Sequence, residues 1–153
     1  QAVELCEELR NLCPDVVFGA DVIAGFPTET EAMFQNTLDL ISDCGLTWLH
    51  VFPYSERPGT PASRMPPVEI AERKSRAVRL RAAGDTAARQ YLDSRIGITE
   101  EILLETQTKG HTTAFAPIEI ESPGTPGDIV RARVDHVDAN GRLQATLIAR
   151  RAT

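Results

Sequence analysis

Two Gly/Pro-rich loops constrain this chain more than any other feature. They are GFPTETE at Gly25–Glu31 and HVFPYSERPGTPASRM at His50–Met65. Each starts as an apolar strand, breaks, and opens onto a helix. That strand-to-helix turn is the place where α/β barrels gather ligand-binding groups. Carboxylate, aromatic and guanidinium groups populate both loops, and such groups on a rigid scaffold are where function concentrates.

The flanking periodicity predicts the first half. Ala2–Leu12 reads as a helix, with Val3, Cys6, Leu9, Arg10 and Cys13 along one side. Asp15–Phe26 is a nearly continuous apolar run, which predicts a strand covered on both faces. Thr28 and Glu31 have the spacing of a capping box. The helix they would start carries Met33, Phe34, Thr37, Leu38, Ile41 and Cys44 on one stripe, and Gly45 supplies a left-handed stop. Thr47–Phe52 is a second strand. Pro53–Pro67, with five prolines, is a loop long enough to predict a functional role. Glu69–Leu92 follows as a helix, with Glu69–Arg73, Glu72–Arg76 and Asp85–Arg89 at i,i+4 spacing. The order helix–strand–helix–strand–helix predicts an α/β piece with parallel strands.

At Gly97 the pattern changes. Ile102–Glu105, His111–Ala116, Ile118–Glu121, Ile129–Val137 and Leu143–Ala149 read as short strands, with Pro123–Gly127 and Asn140–Gly141 as turns. This spacing predicts a small β-barrel. The expected domains are residues 1–95, α/β, and residues 96–153, all-β, with the boundary near Ser94–Ile98. Two strands cannot close an α/β barrel and leave edges open. The chain also opens inside a helical segment without a Met, so the expectation is a piece of a longer protein.

The 153 residues carry a net charge of −6 that is unevenly spread. Residues 1–56 sum to −9, residues 57–95 to +5 and residues 96–153 to −2. A basic middle in an acidic chain is compatible with a locally held polyanion or with a solvated helix. No apolar run approaches the ~20 residues of a membrane span, and no signal peptide is visible. Cys6, Cys13 and Cys44 match no zinc spacing. They read as buried, reduced thiols of a cytoplasmic protein.

Several residues are candidates for chemistry. Asp21 interrupts an apolar strand; a buried carboxylate must be paired, protonated or bound to a ligand. Gly25, Phe26 and Pro27 end that strand, where a glycine permits close approach and the amides opening the next helix suit polar or anionic groups. Glu29 either points to a pocket or favours the helix dipole. His50 lies on the second strand, as a satisfied core residue or as a ligand. Arg57 is either a fork for phosphate or carboxylate or a surface partner of Glu56. In the barrel, Lys109, His111, Arg131 and Arg133 supply cations. Phe115, the module's one aromatic residue, is expected in the core.

DVIAGFPTETE, HVFPYSERPGTPASRMP and the ERKSRAVRLRAAG helix resemble the C-terminal part of radical S-adenosylmethionine (SAM) methylthiotransferases, and KGHTTAFAPIEIE resembles the start of their RNA-binding TRAM barrel. HVFPYS leans toward the MtaB type, which acts on threonylcarbamoyladenosine next to the tRNA anticodon. The resemblance implies the C-terminal portion of a radical SAM partial TIM barrel followed by an OB-like TRAM barrel. For the parent it implies a transferase that inserts sulfur and transfers a methyl group to an adenine carbon, using SAM and two [4Fe–4S] clusters. Partners would be the tRNA anticodon stem-loop and the N-terminal part of the same polypeptide.

No CxxxCxxC occurs here, so this piece would ligate no cluster and be inactive alone. By the resemblance, Asp21, Gly25, Phe26, Pro27 and His50 would lie toward the SAM adenosyl group and the substrate cavity. Arg57, Arg64, Lys109, Arg131 and Arg133 would contact RNA. Gly110–His111 stands where many TRAM domains have Gly-Arg, which removes a cation. The alternatives are an enzyme acting on isopentenyladenosine tRNA or on a ribosomal protein, or a non-catalytic RNA- or protein-binding module, which an exposed Phe115, Ile118 and Ile120 would favour.

Overall fold

The computed structural model describes residues 1–150 and forms two compact units, Gln1–Ala88 and a second beginning at Arg89. In the first unit the elements are helix α1 (Ala2–Leu12), strand β1 (Phe18–Ala24), helix α2 (Glu31–Asp43), strand β2 (Leu46–Pro53), a 3-10 turn (Ala62–Arg64) and most of helix α3 (Ile70–Ser94). Strands β1 and β2 pair in parallel through the α2 crossover.

One face of this sheet is packed. Ala24, Phe34, Ile41, Ala77 and Leu80 are buried together, with Val22, Leu38, Leu49 and Val51 against them. The other face is open. Along β1 burial alternates, leaving Gly19, Asp21 and Ile23 exposed. The expectation of a strand covered on both faces is therefore corrected. The apolar run reflects residues that are chemically suited to burial on each side, but this chain covers one side. Among the described residues no helix is long and apolar enough to cross a membrane.

The start of α2 also differs from expectation. Thr28 lies in the left-handed region, φ 69°, and cannot act as the N-cap. Thr30 does so instead, its Oγ1 accepting from the Met33 amide at 3.2 Å. Glu31 is thereby freed to meet Arg79 at 2.7 Å and Arg76 at 3.5 Å. Gly45 ends α2 with φ 57° as expected. Arg10 of α1 donates to the Cys44 and Gly45 carbonyls there and covers the Phe18 ring. Cys44 is buried and, like Cys6, a free thiol; burial first, then a hydrogen bond with Cys6, pushes its thiol pKa up. Cys6 is half-buried and Cys13 exposed, so burial holds for one of the three cysteines fully.

The β1–α2 loop is held by a buried ion pair that the i,i+4 pattern foresaw only in part. Arg76 of α3 donates to Glu29 Oε2 at 2.7 Å, to the Glu29 carbonyl at 2.9 Å and to Glu72 Oε1 at 2.9 Å. Its side chain is 6% exposed and that of Glu29 is 11% exposed. Burial alone would lower the Arg76 pKa, but the hydrogen bonds to Glu29 and Glu72 more than offset it and keep the guanidinium charged. Glu29 Oε2 also accepts from the Gly25 amide at 2.9 Å. Of the other expected helix pairs, Arg73 turns instead to the Val68 and Tyr54 carbonyls, and Arg89 pairs with Asp93 rather than Asp85.

The second unit is a closed five-stranded barrel. Strands β3 (Thr99–Leu104), β4 (Lys109–Thr112), β5 (Pro117–Ile120), β6 (Ile129–Val137) and β7 (Leu143–Arg150) close in the order β3-β4-β5-β7-β6. Alternation places Ile102, Leu104, Ile118, Ile120, Val130, Val134 and Leu143 inside. Gly110 is buried where β4 crosses β3: a Cβ there would lie 2.0 Å from the Leu103 carbonyl oxygen. The last turns of α3 join this unit, with Leu92 buried and Arg89 donating to the Asp138 carbonyl. Phe115 is not core. It sits at the β4–β5 tip with φ 61° and is 78% exposed. Ile118 and Ile120 are buried, so the exposed trio that would favour a protein-binding module does not form.

Asp138 builds the β6–β7 turn. Its Oδ1 accepts from the Arg142 amide at 2.9 Å and the Asn140 amide at 2.8 Å, and its Oδ2 accepts from Gln144 at 3.0 Å. The Arg142 bond leads in holding this carboxyl below its ordinary pKa, although partial desolvation works against it.

Two predictions follow from these contacts, both for the intact protein that carries the chain. A depressed carboxyl pKa contributes stability that is present above about pH 4 and is lost as pH falls through the folded value. Asp138→Asn should therefore lower the melting temperature at pH 7 and flatten its decline below pH 4, read by thermal melts across pH; parallel acid profiles would contradict this. Arg76→Ala strands a buried carboxylate and should cost about 3 kcal/mol. Arg89→Ala breaks a half-exposed pair and should cost under about 1 kcal/mol. Denaturant titration distinguishes the two, and equal losses would remove the clamp's special status.

Candidate functional site

The open face of β1–β2 gathers the residues that the sequence singled out in the first unit. Parallel register pairs Asp21 with His50 and Ile23 with Phe52. All four are exposed, so each pair presents its side chains on the same side of the sheet. Asp21 was expected to need a partner because burial was expected; it is exposed, and the premise does not apply. His50 likewise is not a core residue. What the strand pattern could not reveal is which face lacks a cover, since alternation of burial depends on neighbours rather than on the residues themselves.

At the C-terminal end of the sheet the chain turns twice. Gly25 is buried with φ 72°. A Cβ there would meet Arg73 Cγ at 2.5 Å. The close approach that requires glycine is thus made by helix α3, not by a ligand. Pro27 is fully buried, and Phe26 is 41% exposed. The Phe26 ring meets Tyr54 edge-on, with centroids 5.3 Å apart at 74°. Tyr54 in turn donates its amide to the Ala24 carbonyl at 2.8 Å and carries the Arg73 guanidinium 5.5 Å above its ring. The loop after β1 and the loop after β2 are therefore joined through Phe26, Tyr54 and Arg73.

Between the open face and the second loop lies a cavity of about 560 Å³, lined by Ile23, Phe52, Pro53, Tyr54, Ser55, Arg57, Thr60 and Ala62. Its volume is in the range of small-molecule sites. Arg57 is exposed and pairs with no carboxylate among the described residues, so its proposed bond with Glu56 is not formed. Arg64 is exposed on the 3-10 turn and outside the cavity lining. In the sequence Tyr54 is only one more position of the Pro53–Pro67 loop. Its hydroxyl is buried and has no hydrogen-bond partner, a property no sequence pattern encodes.

The barrel presents its cations differently. Lys109 lies 3.9 Å from Glu119 and His111 lies 3.1 Å from Glu105. Arg131 stands opposite Glu101 in the β3–β6 ladder, while Arg133 stands opposite Thr99 on one side and Thr146 on the other. Three of these four basic groups thus have an acid as neighbour, which weakens the field that each offers to a polyanion. No group of three or more His, Cys, Asp or Glu side chains among the described residues could hold a metal ion.

Comparison with known proteins agrees with these motifs. No protein-family model matches the chain. It is 43% identical over 146 residues, 95% of its length, to the threonylcarbamoyladenosine tRNA methylthiotransferase MtaB of Rickettsia prowazekii, of which it covers 34%. It is 46% identical over 104 residues, 67% of its length, to the tRNA-2-methylthio-N(6)-dimethylallyladenosine synthase of Magnetococcus marinus, of which it covers 24%. It is 36% identical over 145 residues, 90% of its length, to the synthase of the same name in Ruegeria pomeroyi, of which it covers 33%. The chain spans a quarter to a third of the length of these curated relatives. With its two loop motifs set on a βαβ unit and followed by a closed barrel, the chain belongs to the radical SAM methylthiotransferase family.

Proposed function

We propose that this chain is the C-terminal part of a cytoplasmic tRNA methylthiotransferase acting on threonylcarbamoyladenosine beside the anticodon. Residues 1–95 would form one wall of the SAM and substrate chamber, and residues 96–153 would form an RNA-binding barrel. The observation that carries this is the open Asp21/His50 face beside a cavity holding Arg57, in a chain 43% identical to an MtaB protein along 95% of its length. The threonylcarbamoyl substrate is supported by the higher identity along a comparable length, 43% over 95% of the chain against 36% over 90% for the Ruegeria dimethylallyladenosine synthase.

In this reading the first unit binds and orients. Ile23 and Phe52 offer an apolar shelf of the kind an adenine ring lies on, and Asp21 and His50 offer polar groups at its edge. Gly25, Phe26 and Pro27, fixed by the Glu29–Arg76 clamp, close the end of the strand. When bound, SAM supplies the radical and the methyl group. The clusters would be held by the rest of the polypeptide, and this piece alone would be inactive. The barrel would contribute RNA contact through Arg133 and, less strongly because of Glu101 and Glu119, through Arg131 and Lys109. Arg64 would add a cation from the long loop.

Two experiments on the intact protein test this division. Asp21→Ala should reduce SAM cleavage at least ~10-fold while changing tRNA affinity less than about 3-fold; equal losses would make Asp21 structural. Arg131→Ala with Arg133→Ala should weaken anticodon stem-loop binding and reduce the slope of log K against log salt by about 1 to 1.5, with SAM turnover preserved. An unchanged slope would turn the barrel away from RNA. Deleting the parent gene should remove the methylthio group from threonylcarbamoyladenosine and leave ribosomal-protein masses unchanged; the reverse would assign a protein substrate.

A further inference from the structure

Two of the three cysteines meet, far along the chain from each other. On α1 only Val3, Cys6 and Arg10 are even partly covered. They lie three and four residues apart and so form one stripe, which faces the rest of the unit. Arg10, one turn beyond Cys6, donates to the Cys44 carbonyl and, at 3.4 Å, to the Gly45 carbonyl. That fixes the stripe over the end of α2, where Cys44 is the C-cap residue. Cys6 and Cys44 are hydrogen-bonded there as free thiols. Cys6 is half-buried and Cys44 buried, so solvent reaches the first sulfur and not the second. Burial chiefly, then Cys6, holds Cys44 as the thiol, while the Arg10 guanidinium works in the other direction. An accessible thiol touching a shielded one is the arrangement of a redox-responsive cysteine with its resolving partner. The contact also lies where a link would have an effect. Helix α1 buries no residue and exposes Leu5, Leu9 and Leu12, whereas α2 buries Phe34 and Ile41. A helix with so little burial opens locally at low cost.

We propose that Cys6 and Cys44 are a reversible oxidative modification site, at which hydrogen peroxide converts the two thiols into a disulfide that ties α1 to the end of α2. Cys6 loses its proton and its sulfur attacks one peroxide oxygen. An S–O bond forms, the O–O bond breaks, and the departing hydroxide takes up the proton as water. Cys6 is then a sulfenic acid. Cys44 loses its proton and its sulfur attacks Cys6 Sγ. The S–S bond forms, the S–O bond breaks, and the hydroxyl leaves with the proton as a second water. Two thiols and one peroxide thus give one disulfide and two waters, with two electrons passing from sulfur to oxygen. A dithiol reverses the link by exchange. In a reducing compartment such a disulfide is transient and serves as a sensor rather than as a permanent staple.

The test is a thiol map of the intact, reduced protein before and after a brief excess of hydrogen peroxide. The reaction is quenched, free thiols are alkylated in denaturant, and the protein is cleaved after glutamate without reductant. Cleavage puts the three cysteines on separate peptides, residues 5–7, 9–29 and 32–56. Mass spectrometry should find 5–7 joined to 32–56, the pair separating in dithiothreitol, with 9–29 in neither partner. Cys6→Ser should abolish the link while melting as the reduced wild type does, and Cys13→Ser should leave it intact. Amide exchange across α1 should slow about 10-fold or more on oxidation of the wild type and not of Cys6→Ser. Recovery of Cys6 and Cys44 as separate alkylated peptides overturns the site. So does Cys6 carried on to an unlinked sulfinic acid, or a Cys44 linked to Cys13 instead. A Cys6–Cys44 link that leaves α1 exchange unchanged overturns the tether.

Discussion

The Glu29–Arg76 pair is the contact on which the first unit's candidate site depends. It joins the loop after β1 to helix α3 through a side chain that is 6% exposed and a carboxylate that is 11% exposed. One carboxylate oxygen serves both the guanidinium and the Gly25 amide. A buried ion pair adds little net stability over an apolar pair of the same shape, but losing one partner leaves an uncompensated charge. Its consequence here is positional. Gly25, Phe26 and Pro27 are fixed against α3, Phe26 then supports Tyr54, and Tyr54 lines the cavity that holds Arg57.

Much of the fold was legible in the sequence because local signals and burial agreed. The β6 alternation of Val130, Ala132 and Val134 with Arg131, Arg133 and Asp135 is the observed inside-outside pattern. The α1 bounds and the Gly45 stop were read correctly. Errors arose where two residues of similar chemistry competed. Thr28 and Thr30 are both N-cap residues by type, and only the left-handed φ of Thr28 excludes it. Arg73 and Arg76 both lie four residues after a glutamate; Arg76 keeps that partner, and Arg73 is turned toward Tyr54 by the space above Gly25.

The site was less legible than the fold. Asp21 and His50 were singled out as polar residues on apolar strands, but their being register partners follows from pairing, which sequence alone does not specify. Their exposure reverses the reason Asp21 was noticed. The unpartnered Tyr54 hydroxyl and the compensation of Lys109 by Glu119 and of His111 by Glu105 are three-dimensional facts. Phe115 was misplaced because an aromatic in a small barrel is ordinarily core, whereas here it occupies a left-handed hairpin position that favours glycine.

Amide hydrogen exchange at Gly25 in the intact protein reports on the clamp most directly. The buried amide donates to Glu29 Oε2, which Arg76 holds in place. The account predicts that Gly25 exchanges as slowly as the amides of the β1 core and becomes exposed in Arg76→Ala without comparable change in the barrel. Exchange at Gly25 at the rate of an unstructured loop in the unaltered protein would contradict it.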